Sequence, residues 1–305
     1  MNTKKVLTPI LVAILALGAV STIGFKSPIQ HAAAASVLIA TSADSHGGKF
    51  FGEGVLQVVV TDPDKNDDNT RETIQVTIQG DPESGSGGSK TFTIPETSES
   101  SSKFEFYLRH KDATAVDNGD IDAINNAGVD DYPTTTKAPM IKFGSGVGSS
   151  GLDIQSSMYE LTHFTITVGD TEAKVDYDDS KSSIALDRTT YGSDNKMHIF
   201  ITDQDANRNP TTAENWTVTQ SELNTKLFSM TGATFVDDVD FKETGDNTAE
   251  FEAVVTLNDA DTSTIQELKY TTKGVQMTLN DKWDYYNLGS SHNDNATSTS
   301  DIALQ

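Results

Sequence analysis

Two stretches of the sequence place oxygen-bearing side chains at alternate positions directly after an apolar run. After Val58-Val59-Val60 come Asp62, Asp64, Asn66 and Asp68, with Glu72 following; after Ile199-Phe200-Ile201 come Asp203, Asp205, Asn207 and Asn209, with Glu214 beyond them. Hard cations such as calcium take six to eight oxygens from carboxylates, amides, carbonyls and water, and an irregular loop with ligands two residues apart can wrap one. The second stretch fits positions 1, 3, 5 and 12 of an EF-hand loop. It is no EF-hand, because Arg208 stands where that loop needs glycine and alternating apolar runs flank it in place of helices. These residues are the candidate metal ligands, with Ca2+ as the expected cation. The plainer alternative is that Asp and Asn end strands by hydrogen-bonding their own backbone. Glu96 and Glu243, each followed by Thr, are further oxygen sources from neighbouring loops. A third acidic run, Asp117 to Asp131, is too compressed for a dockerin-type loop and reads as a loop or short helix.

Other chemistries find little footing. The chain has no cysteine, which removes thiol nucleophiles, thiolate zinc and cysteine-ligated copper. The histidines at 31, 46, 110, 163, 198 and 292 are scattered and belong to no HExxH motif, and no GxSxG is present. The Gly/Ser stretches at 80–90 and 142–151 lack the Lys-Ser/Thr ending of a phosphate-binding loop and read as mobile hairpin tips. No catalytic residue or organic cofactor is assigned, and the expectation is a protein that is not an enzyme.

The elements that must carry these loops are short. Runs at 54–62, 72–80, 103–110, 164–170, 196–203, 251–259 and 274–281 alternate apolar and polar residues, are rich in Val, Ile, Thr, Phe and Tyr, and are bounded by Gly, Asp, Asn and Ser. That pattern predicts strands, and many short strands in succession predict sandwiches. The runs also repeat. "LQVVVTDPDKN" at 56–66 aligns with "MHIFITDQDAN" at 197–207, and "ETSESSSKFE" at 96–105 with "ETGDNTAEFE" at 243–252. Two ordered landmarks in each half indicate a duplicated domain.

Residues 1–35 carry Lys4 and Lys5, an apolar stretch from Val6 to Phe25 and the small residues Ala32 to Ala35, the pattern of an export signal cleaved before Ser36. The predicted organisation is therefore all-β: a signal peptide at 1–35, then two tandem β-sandwich domains, Ig-like or jelly-roll-like, at 36–179 and 180–305. Loss of Lys4, Lys5 and Lys26 takes the net charge from −23 to −26, which disfavours nucleic acid and anionic lipid and favours cations. No second apolar segment long enough to span a membrane follows the signal.

With these residues in view, "LDRTTYGSDNKMHIFITDQDANRNPTTAENWTV" at 186–218 and "VVVTDPDKNDDNTRETIQVTI" at 58–78 resemble the β-sandwich repeats of secreted archaeal cell-surface proteins, in particular S-layer-like proteins of ammonia-oxidising archaea. The resemblance covers the start of each half, and the first half departs from it in lacking the Tyr-containing lead-in. It implies an extracellular structural role, with metal on Asp62, Asp64, Asn66, Asp203, Asp205 and Asn207.

After cleavage the chain would open on Val37-Leu38-Ile39-Ala40, a strand-former that could complete the sheet of a neighbouring copy by donor-strand exchange, with main-chain hydrogen bonds and alternate side chains in pockets. The plainer reading, and the one favoured, is that it is the first strand of its own domain. Asn215 and Asn295 head N-glycosylation sequons. The expectation is thus a secreted subunit of a cell-surface filament or S-layer-like assembly, stiffened by calcium, with copies of itself or other surface proteins as partners. The alternative is a calcium-dependent adhesion or glycan-binding module.

Overall fold

The alternation of side chains fixes which face of each strand goes inside. In the strand Leu56–Thr61 every second residue is buried, and the same period runs through Thr73–Pro82, Lys196–Thr202 and Glu250–Asn258. One apolar face per strand is what a two-layer sandwich needs. The computed structural model describes residues 36–304 apart from 53, 68, 112–137, 157–158, 160, 179, 181, 193–194, 205, 259–266, 271–274 and 281–296. The signal at 1–35, Asp68, Asp205, Asn295 and the run Asp117 to Asp131 therefore lie outside the described residues.

The first half contains β1 (Leu38–Thr41), β2 (Lys49–Phe51), β3 (Leu56–Thr61), β4 (Thr73–Pro82), β5 (Gly88–Pro95), β6 (Lys103–His110), β7 (Met140–Gly144), β8 (Leu152–Asp153), β9 (Thr162–Val168) and β10 (Thr171–Asp178). They form two sheets, ordered β1-β3-β6-β7-β8 and β2-β10-β9-β4-β5. The second half contains β11 (Ser183–Leu186), β12 (Thr190–Tyr191), β13 (Lys196–Thr202), β14 (Asn215–Val218), β15 (Phe228–Thr231), β16 (Ala233–Phe235), β17 (Val239–Glu243), β18 (Glu250–Asn258), β19 (Glu267–Tyr270), β20 (Val275–Asn280) and β21 (Thr297–Leu304). Its sheets are β11-β13-β18-β17-β14, extended by β19 and β16, and β12-β21-β20-β15. The chain is all-β, and each of the seven alternating runs named from the sequence contains a strand.

The two halves share a wiring plan. β1 pairs antiparallel with β3 as β11 does with β13, β3 with β6 as β13 with β18, and β6 runs parallel to β7 as β18 does to β19. β2 lies parallel to β10, and β12 parallel to β21. The long β4–β5 hairpin of the first half has its counterpart in four short strands, because residues 220–227 coil into a helical segment that buries Leu223 and Leu227. Thr219 caps that segment, its hydroxyl accepting the Glu222 N–H and donating to the Glu222 carboxylate.

The hairpin tip at 83–87 packs against the loop before β9. Ser86 exchanges backbone hydrogen bonds with Gln155, and a Cβ on Gly85 (φ 124°) would lie 2.0 Å from the Gln155 carbonyl, so the Gly there serves close approach. The tip within 80–90 is thus packed against a neighbouring loop.

Each half has its own core. One runs from Ala43 to Tyr177 around Phe50, Phe143, Phe164 and Tyr177, whose rings stand 4.9–6.1 Å apart; the other runs from Ile184 to Met277 around Phe228, Phe235 and Phe241. Because the cores are separate, Phe143→Ala should cost the first sandwich about 3–5 kcal/mol while leaving the second nearly unchanged. Urea unfolding followed by residue-resolved NMR should show an early transition confined to residues 36–178.

Candidate metal centre and domain junction

A strand that ends in an irregular loop leaves backbone N–H groups with no ladder partner, and burial makes that costly. Both halves solve this with the same pair of glutamates. In the first, Glu96 N–H donates to Glu72 O (2.8 Å) and Glu72 N–H to the Glu96 carboxylate (3.4 Å); in the second, Glu243 N–H donates to Glu214 O (2.8 Å) and Glu214 N–H to the Glu243 carboxylate (3.1 Å). The flanking bonds repeat as well. Asp62 N–H donates to Ser102 O as Asp203 N–H does to Ala249 O, and Thr97 N–H to Lys103 O as Thr244 N–H does to Glu250 O.

The second pair is the drier. Glu214 and Glu243 are 1% and 2% exposed. One Glu214 oxygen accepts the N–H groups of Arg208 (2.7 Å) and Asn209 (2.6 Å). One Glu243 oxygen accepts those of Thr248 (2.7 Å) and Ala249 (2.9 Å) and the Thr248 hydroxyl. The remaining Glu214 oxygen, Oε2, is buried with no hydrogen-bond donor. Burial, reinforced by the neighbouring Glu243 charge, pushes the Glu214 carboxyl up to about 9 from 4.5. Two carboxyls this close in a dry site need a proton or a cation between them.

The first pair is more open. Glu96 is fully buried, and burial together with the hydrogen bond to Glu72 raises its carboxyl above the usual range. Glu72 is lowered instead, chiefly by the Thr70 hydroxyl and also by the Asp67 N–H.

The other predicted ligands divide. Asp203, Asn207 and Asn209 are buried in the second half; in the first, Asp62 is buried while Asp64 and Asn66 face solvent. Several serve their own loops: Asp62 accepts the Asp64 N–H (3.2 Å), Asp203 the Ala206 N–H (3.4 Å), and Asn209 the N–H and hydroxyl of Thr211 (2.9 and 2.8 Å). Among the described residues no three His, Cys, Asp or Glu side chains converge as a metal-holding group. Glu96 and Glu243, rather than Asp64 and Asn66, are brought against the predicted Glu72 and Glu214.

Sequence reasoning missed Asn247. It sits in the 244–249 turn with φ 54°, a left-handed conformation that Asn tolerates. Its side-chain amide donates to Ser42 O (3.1 Å) and Ser45 Oγ (2.9 Å) of the first sandwich and accepts from Asn207 Nδ2 (2.9 Å), while its carbonyl accepts from His46 Nε2 (3.0 Å). Val55 N–H adds a bond to Arg208 O (3.2 Å). Between these contacts lies a cavity of about 20 Å³ lined by His46, Lys49, Gly54, Gln204, Asn207 and Asn247. Gln204 Oε1 and Asn207 Oδ1 are buried there without donors, and the space suits one water. No sequence pattern marks Asn247; only the Gly-Asp-Asn turn around it does.

The first strand lies in its own sandwich. β1 pairs with β3 from Leu38↔Thr61 to Thr41↔Val58, Val37 and Ile39 pack on the core, and Leu38 is 61% exposed at the sheet edge. Asn215 is exposed on the edge strand β14.

The fold and site define an all-β sandwich protein whose two halves share a wiring plan, with an acid pair under the strand-end loops of each half. No protein-family model and no curated protein matches the chain. Among solved structures it is similar to FdeC, an adhesin of Escherichia coli, at 8% identity and a TM-score of 0.24, covering 90% of this chain and 65% of that one. It is also similar to the Yersinia pseudotuberculosis adhesin InvE at 7% identity and a TM-score of 0.22, covering 88% of this chain and 58% of that one. The chain thus spans less than two thirds of either, and likenesses this loose carry no argument about its activity. No helix among the described residues is long and apolar enough to cross a membrane.

With divalent cations removed, stability should fall as pH rises between 4.5 and about 9. In that window the folded chain still holds the Glu214 proton that the unfolded chain has lost, so raising the pH strips a proton bound more tightly by the folded state. Glu96, also raised, contributes with the same sign. Thermal melts in EDTA should show this slope, and Glu214→Gln should reduce it.

Proposed function

We propose that this chain is an extracellular structural protein, a subunit of a cell-surface filament or S-layer-like assembly of the archaeal type it resembles in sequence, with calcium stiffening its strand-end loops. The observation that carries the reading is the joined pair of sandwiches. Two copies of one all-β unit are tied directly to each other through Asn247 and Arg208, and the loops that tie them rest on buried carboxylates. Such a unit has the form of a spacer or building block.

The export pattern at 1–35 and the acidic balance of 45 acids against 22 bases support a place outside the cell, where calcium is abundant. The candidate calcium ligands are those of the two acidic stretches, with Glu96 and Glu243 added by their contacts. The short edge strand β1, carrying the exposed Leu38, is the element that would pass to a neighbouring copy.

Negative-stain microscopy of the mature chain with and without calcium tests this directly. Polymers are expected, and chelation should shorten them and lower the Tm. A chain that stays monomeric in calcium while saturably binding a glycan would establish the adhesion module instead, and a Tm indifferent to EDTA would remove the metal.

A further inference from the structure

We propose that the outer face of the β2-β10-β9-β4-β5 sheet is where a second copy of this chain packs, two-fold and face to face, giving the assembly a contact separate from its edge strand. This rests on the self-assembly reading above and names one of its interfaces.

Charge sets the face apart. In a chain with 45 acids and 22 bases, the outward residues at its centre are all neutral. The register lays them in rows. Thr91, Thr77 and Thr167 stand side by side across β5, β4 and β9; Ser89, Gln79 and Thr165 do so one pleat further along, and Thr93 and Gln75 one pleat back. All eight are exposed or half-buried, while the alternate residues of β4 and β9 are buried. Elsewhere the outward positions are charged: β6 presents Lys103 and Glu105, and β17 and β18 present Asp240, Lys242, Glu250 and Glu252. Depletion of charge at the centre, more than added apolarity, marks a contact surface between separable partners. Two copies of an acidic chain repel each other, and a neutral face is where they approach at least cost. The side chains are also pre-ordered. Thr77 Oγ1 and Thr91 Oγ1 share a hydrogen bond (2.9 Å), and Gln75 Nε2 donates to Thr93 Oγ1 (3.0 Å). Threonine, branched at Cβ, has little χ1 freedom to lose on docking.

The face is complementary to itself, which points to a second copy as its occupant. Its rim on β10 carries Glu172 beside Thr167 and Lys174 beside Thr165, both exposed. A two-fold axis lying across the strands between the two central rows sets Glu172 against the partner's Lys174 and Lys174 against the partner's Glu172, with the Thr77 row on the Gln79 row. In the outer rows Asp81 then falls opposite Gln75, and Asp176, which would face the turn at Gly169-Asp170, is already paired with His163 (2.8 Å). Four strands about 4.8 Å apart and about 27 Å long offer about 500 Å² per copy. The pair buries about 1,000 Å², the lower bound of a specific contact. One such contact is weak alone and gains strength when repeated along a polymer.

Sedimentation of the mature chain in EDTA separates this contact from a polymer that calcium sustains. A monomer–dimer equilibrium is expected. Thr77→Glu, which puts an unmatched carboxylate at the centre of the face in both copies, should weaken it about tenfold or more. Lys174→Glu, which sets acid against acid, should weaken it several-fold, and combining it with Glu172→Lys should restore the dimer. Thermal melts check that each variant stays folded, and restoration by the exchanged pair excludes a folding defect as the cause. A dimer indifferent to all three variants would overturn the proposal. A chain monomeric in EDTA yet polymeric in calcium would overturn it while leaving the filament reading standing, and dimers without polymers in calcium would do the reverse. A chain monomeric in both would remove both, leaving the face to a neutral glycan.

Discussion

Two carboxyl groups sharing one dry pocket constrain everything around them in the second sandwich. Glu214 and Glu243 sit where β14 begins and β17 ends, and between them they accept the backbone N–H groups of two irregular loops that no sheet could satisfy. The arrangement places two acids side by side in the interior in order to keep four loop N–H groups paired, two of those bonds fully buried. Because an unmet buried donor costs on the order of 1–3 kcal/mol, the exchange is favourable only if the repulsion itself is quenched. The loops, the strained turn at 247–249 and the contact with the first sandwich all depend on how that happens.

The same frame is put to different use in the first sandwich. There the acidic loop bulges into solvent, with Asp67 and Glu72 closing small local turns through Asn69 and Thr70. The buried member of the pair is now Glu96, at the far end of the hairpin, whereas in the second half both members are buried. The two halves share the backbone bonds while their surroundings differ, so one resembles an ordinary acidic turn and the other a closed site.

Much of this was legible in the residues. Period-two alternation located the strands because one face of each is buried and the other is not, and the repeated Glu-Thr landmark at 96 and 243 marked the partners of Glu72 and Glu214. The helical segment at 220–227 was also written in the sequence, as Thr219 and Glu222 in capping positions followed by Leu223 and Leu227 one turn apart, but short strands on either side masked it. What could not be read was Asn247. Its importance comes from a left-handed turn and from partners about two hundred positions away, and neither leaves a periodic trace. Nor does the spacing of acids reveal which will be buried, since that depends on how loops from different strands close over one another.

The parallel pairing of β2 with β10, and of β12 with β21, has a consequence under load. In each sandwich an early strand lies alongside the last one and runs in the same direction. Tension applied to the two ends of the domain therefore drags these strands past each other lengthwise, and their hydrogen bonds must yield together instead of peeling apart singly. In the first sandwich the tie is the three-residue register from Lys49↔Asp176 to Phe51↔Asp178, closed by the Lys49–Asp178 ion pair.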